Sequence, residues 1–98
     1  MINYQKLPEP EILNDTAEKI EFDFEDSEVK LLRYPAGTEI PAHSHKQETL
    51  HVILKGKIRM DNPEIILDKT YFYKCGGYEY GPWQVLEDFE MLVISPKQ

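Results

Sequence analysis

All three histidines of this chain, His43, His45 and His51, fall within the single stretch GTEIPAHSHKQETLHVILKG, Gly37 to Gly56. Imidazole is the commonest protein ligand for zinc and also suits iron and nickel. In an extended chain, residues two apart project from the same face, so His43 and His45 aim two rings into one space. A turn about Lys46-Gln47-Glu48 would bring the chain back, and Thr49 and His51 then share a face of the next strand. If that face looks into the same interior, His51 joins the pair as a three-nitrogen set with coordination positions left open for a ligand. The plainer alternative is three polar residues that share a hairpin.

A second concentration of chemistry lies downstream. Tyr71, Tyr73, Tyr78, Tyr80 and Trp83 crowd thirteen positions. Aromatic rings with hydroxyl groups suit the lining of a pocket for a small organic molecule, and equally a barrel core, where Phe72 and one of Tyr71 or Tyr73 are expected. Cys75 has only Lys74 as a basic neighbour and reads as an inert, partly buried thiol. Glu79 reads as a solvated loop acid. No Ser-His-Asp order, phosphate-binding glycine loop or CxxC pair is present.

Strands must carry these residues. Ile20, Phe22 and Phe24 alternate with Glu21, Asp23 and Glu25, the signature of a half-buried strand. EVKLLRYP reads as a second strand, stopped by Pro35-Ala36-Gly37. LHVILKGKIRMD is strand-like with a bend at Gly56, NPEIILD adds a short strand after a turn at Asn62-Pro63, KTYFYKC is a strand rich in aromatics, and FEMLVISP is the last. NDTAEK is the one segment that could cap a short helical turn. Many short strands punctuated by Gly and Pro predict a β-sandwich or small barrel.

The histidine stretch resembles the first motif of the cupins, small β-barrels of jelly-roll type, in which a glycine precedes an H-x-H pair, a glutamate and a closing glycine. Gly37, His43, His45 and Gly56 stand at the matching positions. KTYFYKCGGYEYGPW is similar to the second motif only in part. Gly77 matches its glycine, Cys75 stands at its proline, and Tyr80 stands where the third metal-binding histidine would be. The resemblance covers about residues 30–95. It implies an all-β, single-domain cupin-type jelly-roll barrel over 1–98, with an N-terminal arm over 1–16. It also implies a divalent transition metal (Zn, Ni, Mn or Fe), held in the family by three histidines and a glutamate. Here Thr49 occupies the glutamate position, with Glu48 beside it. His51, Glu48 or Tyr80 could complete the site. Tyr80 would have to act as a phenolate, whose ordinary pKa is about 10.

The expected function is a metal-binding barrel holding a small organic ligand, with His43, His45 and His51 on the ion. Thr49, Glu48, Tyr80 and Trp83 belong to its ligand pocket, and Tyr80 is the candidate catalytic hydrogen-bonding group. Metal-dependent isomerisation or dioxygenation is the reaction class that the resemblance suggests. The alternative is a ligand-binding or sensor barrel that has lost its metal. Small cupins commonly dimerise by sheet packing or strand exchange, so a homodimer is expected. A net charge of −7 without a basic cluster argues against nucleic acid and anionic membranes. No apolar run approaches the roughly 20 residues of a membrane helix. No basic start followed by an apolar stretch marks a signal peptide, so a cytoplasmic location is expected.

Overall fold

The structure is a computed structural model that describes residues 1–14, 16–61 and 64–97. Its elements are all strands: β1 (Glu11–Leu13), β2 (Ala17–Phe24), β3 (Ser27–Tyr34), β4 (Glu39–Ile40), β5 (His43–Ser44), β6 (Thr49–Lys55), β7 (Ile58–Met60), β8 (Ile65–Leu67), β9 (Phe72–Cys75), β10 (Glu79–Tyr80), β11 (Trp83–Val85) and β12 (Phe89–Pro96). A six-stranded sheet in the order β1-β2-β3-β12-β6-β9 faces a four-stranded sheet in the order β4-β11-β7-β8, and β5 and β10 form a separate ladder. All pairings are antiparallel. No helix among the described residues is long and apolar enough to cross a membrane.

Alternation decides what each strand buries. On β12, Phe89, Met91 and Val93 point inward and are buried, and on β6 Thr49, His51 and Ile53 do the same. They meet Ile40, Ile58, Leu67, Trp83 and Val85 from the opposing elements to form the core between the sheets. Gly56 turns the chain from β6 to β7 at φ 84°, and a Cβ there would run into the backbone of Asp88. Only glycine accepts both conditions at low cost.

Several expectations change. Of NDTAEK, expected to cap a helical turn, Ala17, Glu18 and Lys19 belong to β2 and pair with β1 as a hairpin, and Asn14 stands in the left-handed region at φ 51°, while Asp15 lies outside the described residues. Asparagine tolerates that conformation, and the strand pattern of β2 extends back to Ala17. Glu11–Leu13, expected within a free arm, is therefore an edge strand. The Ile20, Phe22 and Phe24 stripe lies on the outer face of the large sheet, because the register pairs Lys19 with Leu32 and turns that row inward. Ile20 is buried but Phe24 is 65% exposed. Phe72, expected in the core, is also exposed, since Tyr73 and Cys75 pair with the inward His51 and Thr49 and Phe72 must alternate outward. The turn expected at Asn62-Pro63 lies outside the described residues.

Candidate functional site

The β5–β10 ladder sets the first two histidines. Its register pairs Tyr80 with His43 and Glu79 with Ser44. His45 follows β5, and its carbonyl accepts a hydrogen bond from the Gly77 amide at 2.8 Å. Gly76 makes this approach possible: a Cβ there would collide with the backbone of Gln47 and Glu48. The turn after His45 is thus clamped against the loop between β9 and β10. β6 then carries Thr49 and His51 inward, both 2% exposed.

All three histidines line one cavity of about 350 Å³ between the sheets. Its walls are mainly apolar, with Leu32, Ile40, Trp83, Met91 and Val93 among them. That volume lies within the range of small-molecule sites. His45 stands between the other two, with ring centres 5.4 Å from His43 and 6.0 Å from His51. Tyr80 packs its ring on His43 at 4.8 Å and stacks on Trp83 at 5.4 Å. The His51 ring stacks on Tyr73 at 4.4 Å.

Hydrogen bonds assign the tautomers of two rings. The Thr49 hydroxyl donates to the Cys75 carbonyl at 3.0 Å and lies 2.7 Å from Nε2 of His51. A hydroxyl has one proton. With that proton on the carbonyl, the oxygen accepts from His51, so Nε2 carries the ring hydrogen and Nδ1 the lone pair. Nδ1 is buried and has no partner among the described residues. Likewise Nδ1 of His43 lies 2.8 Å from the Pro41 carbonyl, which can only accept, so Nε2 of His43 holds the lone pair. Burial first, and then the charges of His45 and His43, lower the pKa of His51 to about 4. His45 is lowered by burial, then by His43 and Lys30. His51 is therefore a neutral ring at ordinary pH, with its free nitrogen kept from bulk water.

These features bear on whether the residues suit a metal ion. Two imidazoles on one tetrahedral ion have ring centres about 5 Å apart, so the two separations lie close to that value. The lone pairs of His43 and His51 are assigned to nitrogens that no protein donor occupies. Among the described residues, however, no three His, Cys, Asp or Glu side chains are drawn together closely enough to hold an ion. The donor set fits an imidazole-held ion in its chemistry and tautomers, and the rings would have to close slightly around it.

The other expected site residues separate. Trp83 lines the cavity. Thr49 sits behind His51 as its hydrogen-bond acceptor rather than in the cavity wall. Glu48, expected at the pocket, is exposed on the far face of β6's entry, with its carboxylate 3.5 Å from Lys74. The regular alternation of β6 turns it outward. Tyr80 keeps its proton, because burial and then the Cys75 thiol push its pKa above the ordinary phenol value, which disfavours a phenolate ligand. Expected in the ligand pocket, Tyr80 does not line the cavity: its ring packs on His43 and Trp83, and its buried hydroxyl has no hydrogen-bond partner among the described residues. Cys75, read as inert, has its thiol 3.5 Å from Nε2 of His51, and burial raises its pKa. Lys30, which sequence reasoning passed over, lines the cavity too. Its parity with Leu32 and Tyr34 in EVKLLRYP was the available signal.

No family model and no curated protein matches the sequence. Solved structures do match its fold. KdgF from Halomonas sp. superposes with a TM-score of 0.77 at 10% identity, over 93% of this chain and 90% of that one. An acetylacetone dioxygenase from Acinetobacter johnsonii gives 0.75 at 12% identity, over 98% and 74%. An RmlC-like cupin from Shewanella frigidimarina gives 0.78 at 11%, over 92% and 84%. With two facing antiparallel sheets, a histidine-lined interior and these neighbours, the chain has the jelly-roll fold of the RmlC-like cupins.

Proposed function

We propose that the barrel binds a small, largely apolar organic molecule whose polar end meets a divalent transition metal carried by His43, His45 and His51. The observation that carries this reading is the meeting of all three imidazoles on one mainly apolar cavity, with the free nitrogen of His51 buried and unpartnered. An ion bound there would polarise a ligand oxygen as a Lewis acid. The chain's own residues supply the rest. Trp83, Leu32 and Met91 hold the apolar body and exclude water, Thr49 fixes the tautomer of His51, and Tyr80, outside the cavity lining, packs on His43 and Trp83 and holds their rings in place. The acetylacetone dioxygenase among the structural neighbours makes metal-assisted dioxygenation of a carbonyl compound a reaction class to test, with isomerisation beside it.

A second reading is a ligand-binding barrel without metal. It is favoured by the absence, among the described residues, of three His, Cys, Asp or Glu side chains close enough to hold an ion, and by Glu48 facing away. The same proposal includes a homodimer formed through the apolar outer face of the large sheet. Trp83 is the only tryptophan and lines the cavity, so screening small carbonyl compounds by its emission, with and without added zinc, nickel, manganese or iron, tests the pocket. Metal-dependent quenching supports the first reading and metal-independent quenching the second. A calorimetric ligand that leaves the emission unchanged would contradict both.

A further inference from the structure

The inner face of the large sheet carries one row that crosses four strands. The register places Lys30 beside Val93, Val93 beside His51, and His51 beside Tyr73. Direct cross-strand partners point the same way, and neighbouring strands lie about 4.8 Å apart. Lys30 and His51 thus face into the same cavity from either side of Val93, and both line it. Lys30 also shares the adjoining groove with His45.

The acids around Lys30 are committed elsewhere or stand off. Its cross-strand neighbour on β2 is Glu21, whose carboxylate binds Lys19 at 3.4 Å. Lys19, the other cavity lysine, holds Glu11 as well, at 3.3 Å. Glu28 lies two residues away on the same face of β3 and in the same groove, and Glu39 is an exposed rim residue of the cavity. Among the described residues, no carboxylate comes within 4 Å of the Lys30 ammonium. In a chain of net charge −7, a cation turned into a mainly apolar cavity with no counter-ion among the described residues is an uncommon arrangement, and it complements a ligand that brings its own negative charge.

We propose that the ligand is a small carboxylate whose acid group is bound by Lys30 and whose second oxygen function meets the histidine cluster. This deepens the reading of the cavity given above and rests on it. The distance across Val93 sets the scale: two inter-strand steps, about 10 Å between backbones, shortened by the reach of both side chains. A chain of four to six carbons with an acid at one end and a carbonyl or hydroxyl near the middle or far end spans it. Leu32 and Met91 would flank that chain.

The test uses a panel of four- to six-carbon oxo and hydroxy acids and their primary amides. Binding is followed through Trp83 emission and calorimetry, in the presence of zinc and in its absence. The expected result is that the best acid binds at least about tenfold more tightly than its amide, the scale of one charge-assisted hydrogen bond. Lys30→Met should remove that preference, with the acid losing more affinity than the amide, and Lys30→Arg should retain most of it. Lys74→Met, on the outer face against Glu48, serves as the control for a general loss of positive charge and should keep the preference. Thermal melting of each variant confirms that it folds. Acids and amides binding equally well, or a preference that survives Lys30→Met, would overturn the assignment of Lys30 and leave the cavity reading intact. Failure of every acid and every amide to bind would overturn both.

Discussion

His51 is a buried imidazole whose one N–H is satisfied by Thr49 and whose other nitrogen has no partner among the described residues. Two consequences follow at the scale of the residue. Thr49→Val removes the hydroxyl acceptor for that N–H and leaves the buried donor only the weakly accepting Cys75 sulfur at 3.5 Å. It should cost about 1–3 kcal/mol in urea denaturation, and it should weaken metal binding because the ring loses its orientation. The second consequence is pH dependence. The unfolded chain protonates His51 near 6.5 and the folded chain near 4. Between those values the unfolded state holds more protons, so stability falls as pH drops from about 6.5 toward 4. It is fully present above 6.5. The groups bearing on His51 are His45 and His43, with Lys30 facing it across Val93 and the Cys75 thiol and Tyr73 ring beside it. The full shift corresponds to about 3 kcal/mol. His51→Gln should flatten the slope of denaturation midpoints over this range, and an unchanged slope would show that other groups carry it. Same-face spacing made His43 and His45 legible as a pair, and the alternation from Thr49 to His51 made the third ring legible. The tautomers were not legible, because they depend on the Pro41 and Cys75 carbonyls, which come into contact only through the fold.

At the scale of elements, the site depends on the approach of the loop between β9 and β10 to the turn after β5. Gly76→Ala places a methyl group against the backbone of Gln47 and Glu48, atoms that cannot move aside alone. The expected outcome is a loss of about 2 kcal/mol or more and faster amide exchange at Gly77, whose hydrogen bond to His45 depends on that approach. Glu48→Gln removes only an exposed pair with Lys74. It should change stability by less than about 0.5 kcal/mol and leave ligand binding as it was. A marked loss of metal on that substitution would show that Glu48 swings inward as a ligand. The strands themselves were legible from alternation, but which face of a strand looks inward was not always so. Ile20, Phe22 and Phe24 form the more apolar side of β2, yet pairing with β3 turns Lys19 and Glu21 toward the interior and the phenylalanines outward. The same ambiguity put Phe72 in the expected core. A period of two identifies a strand and its two faces, whereas the register with a neighbour chooses between them.

At the scale of the whole molecule, that choice leaves Phe22, Phe24, Leu54 and Phe72 exposed on the outer face of the large sheet. An apolar face of this kind favours a partner, and a second copy of the chain is the proposed one. Sedimentation at micromolar concentration should show a species of twice the 11.5 kDa chain mass. Phe24→Lys with Phe72→Lys should shift it to the monomer without emptying the cavity on the other side of the sheet. A purely monomeric parent protein would rule the interface out. The central claim is that three imidazoles on the cavity wall act together as one metal site. The most direct measurement is a calorimetric titration of untagged, chelator-treated protein with zinc near pH 7.5, repeated on His45→Ala, which removes the ring between the other two. One ion per chain is expected for the parent protein and no measurable binding for the variant. Absence of binding by the parent, or binding that His45→Ala leaves unchanged, would contradict it.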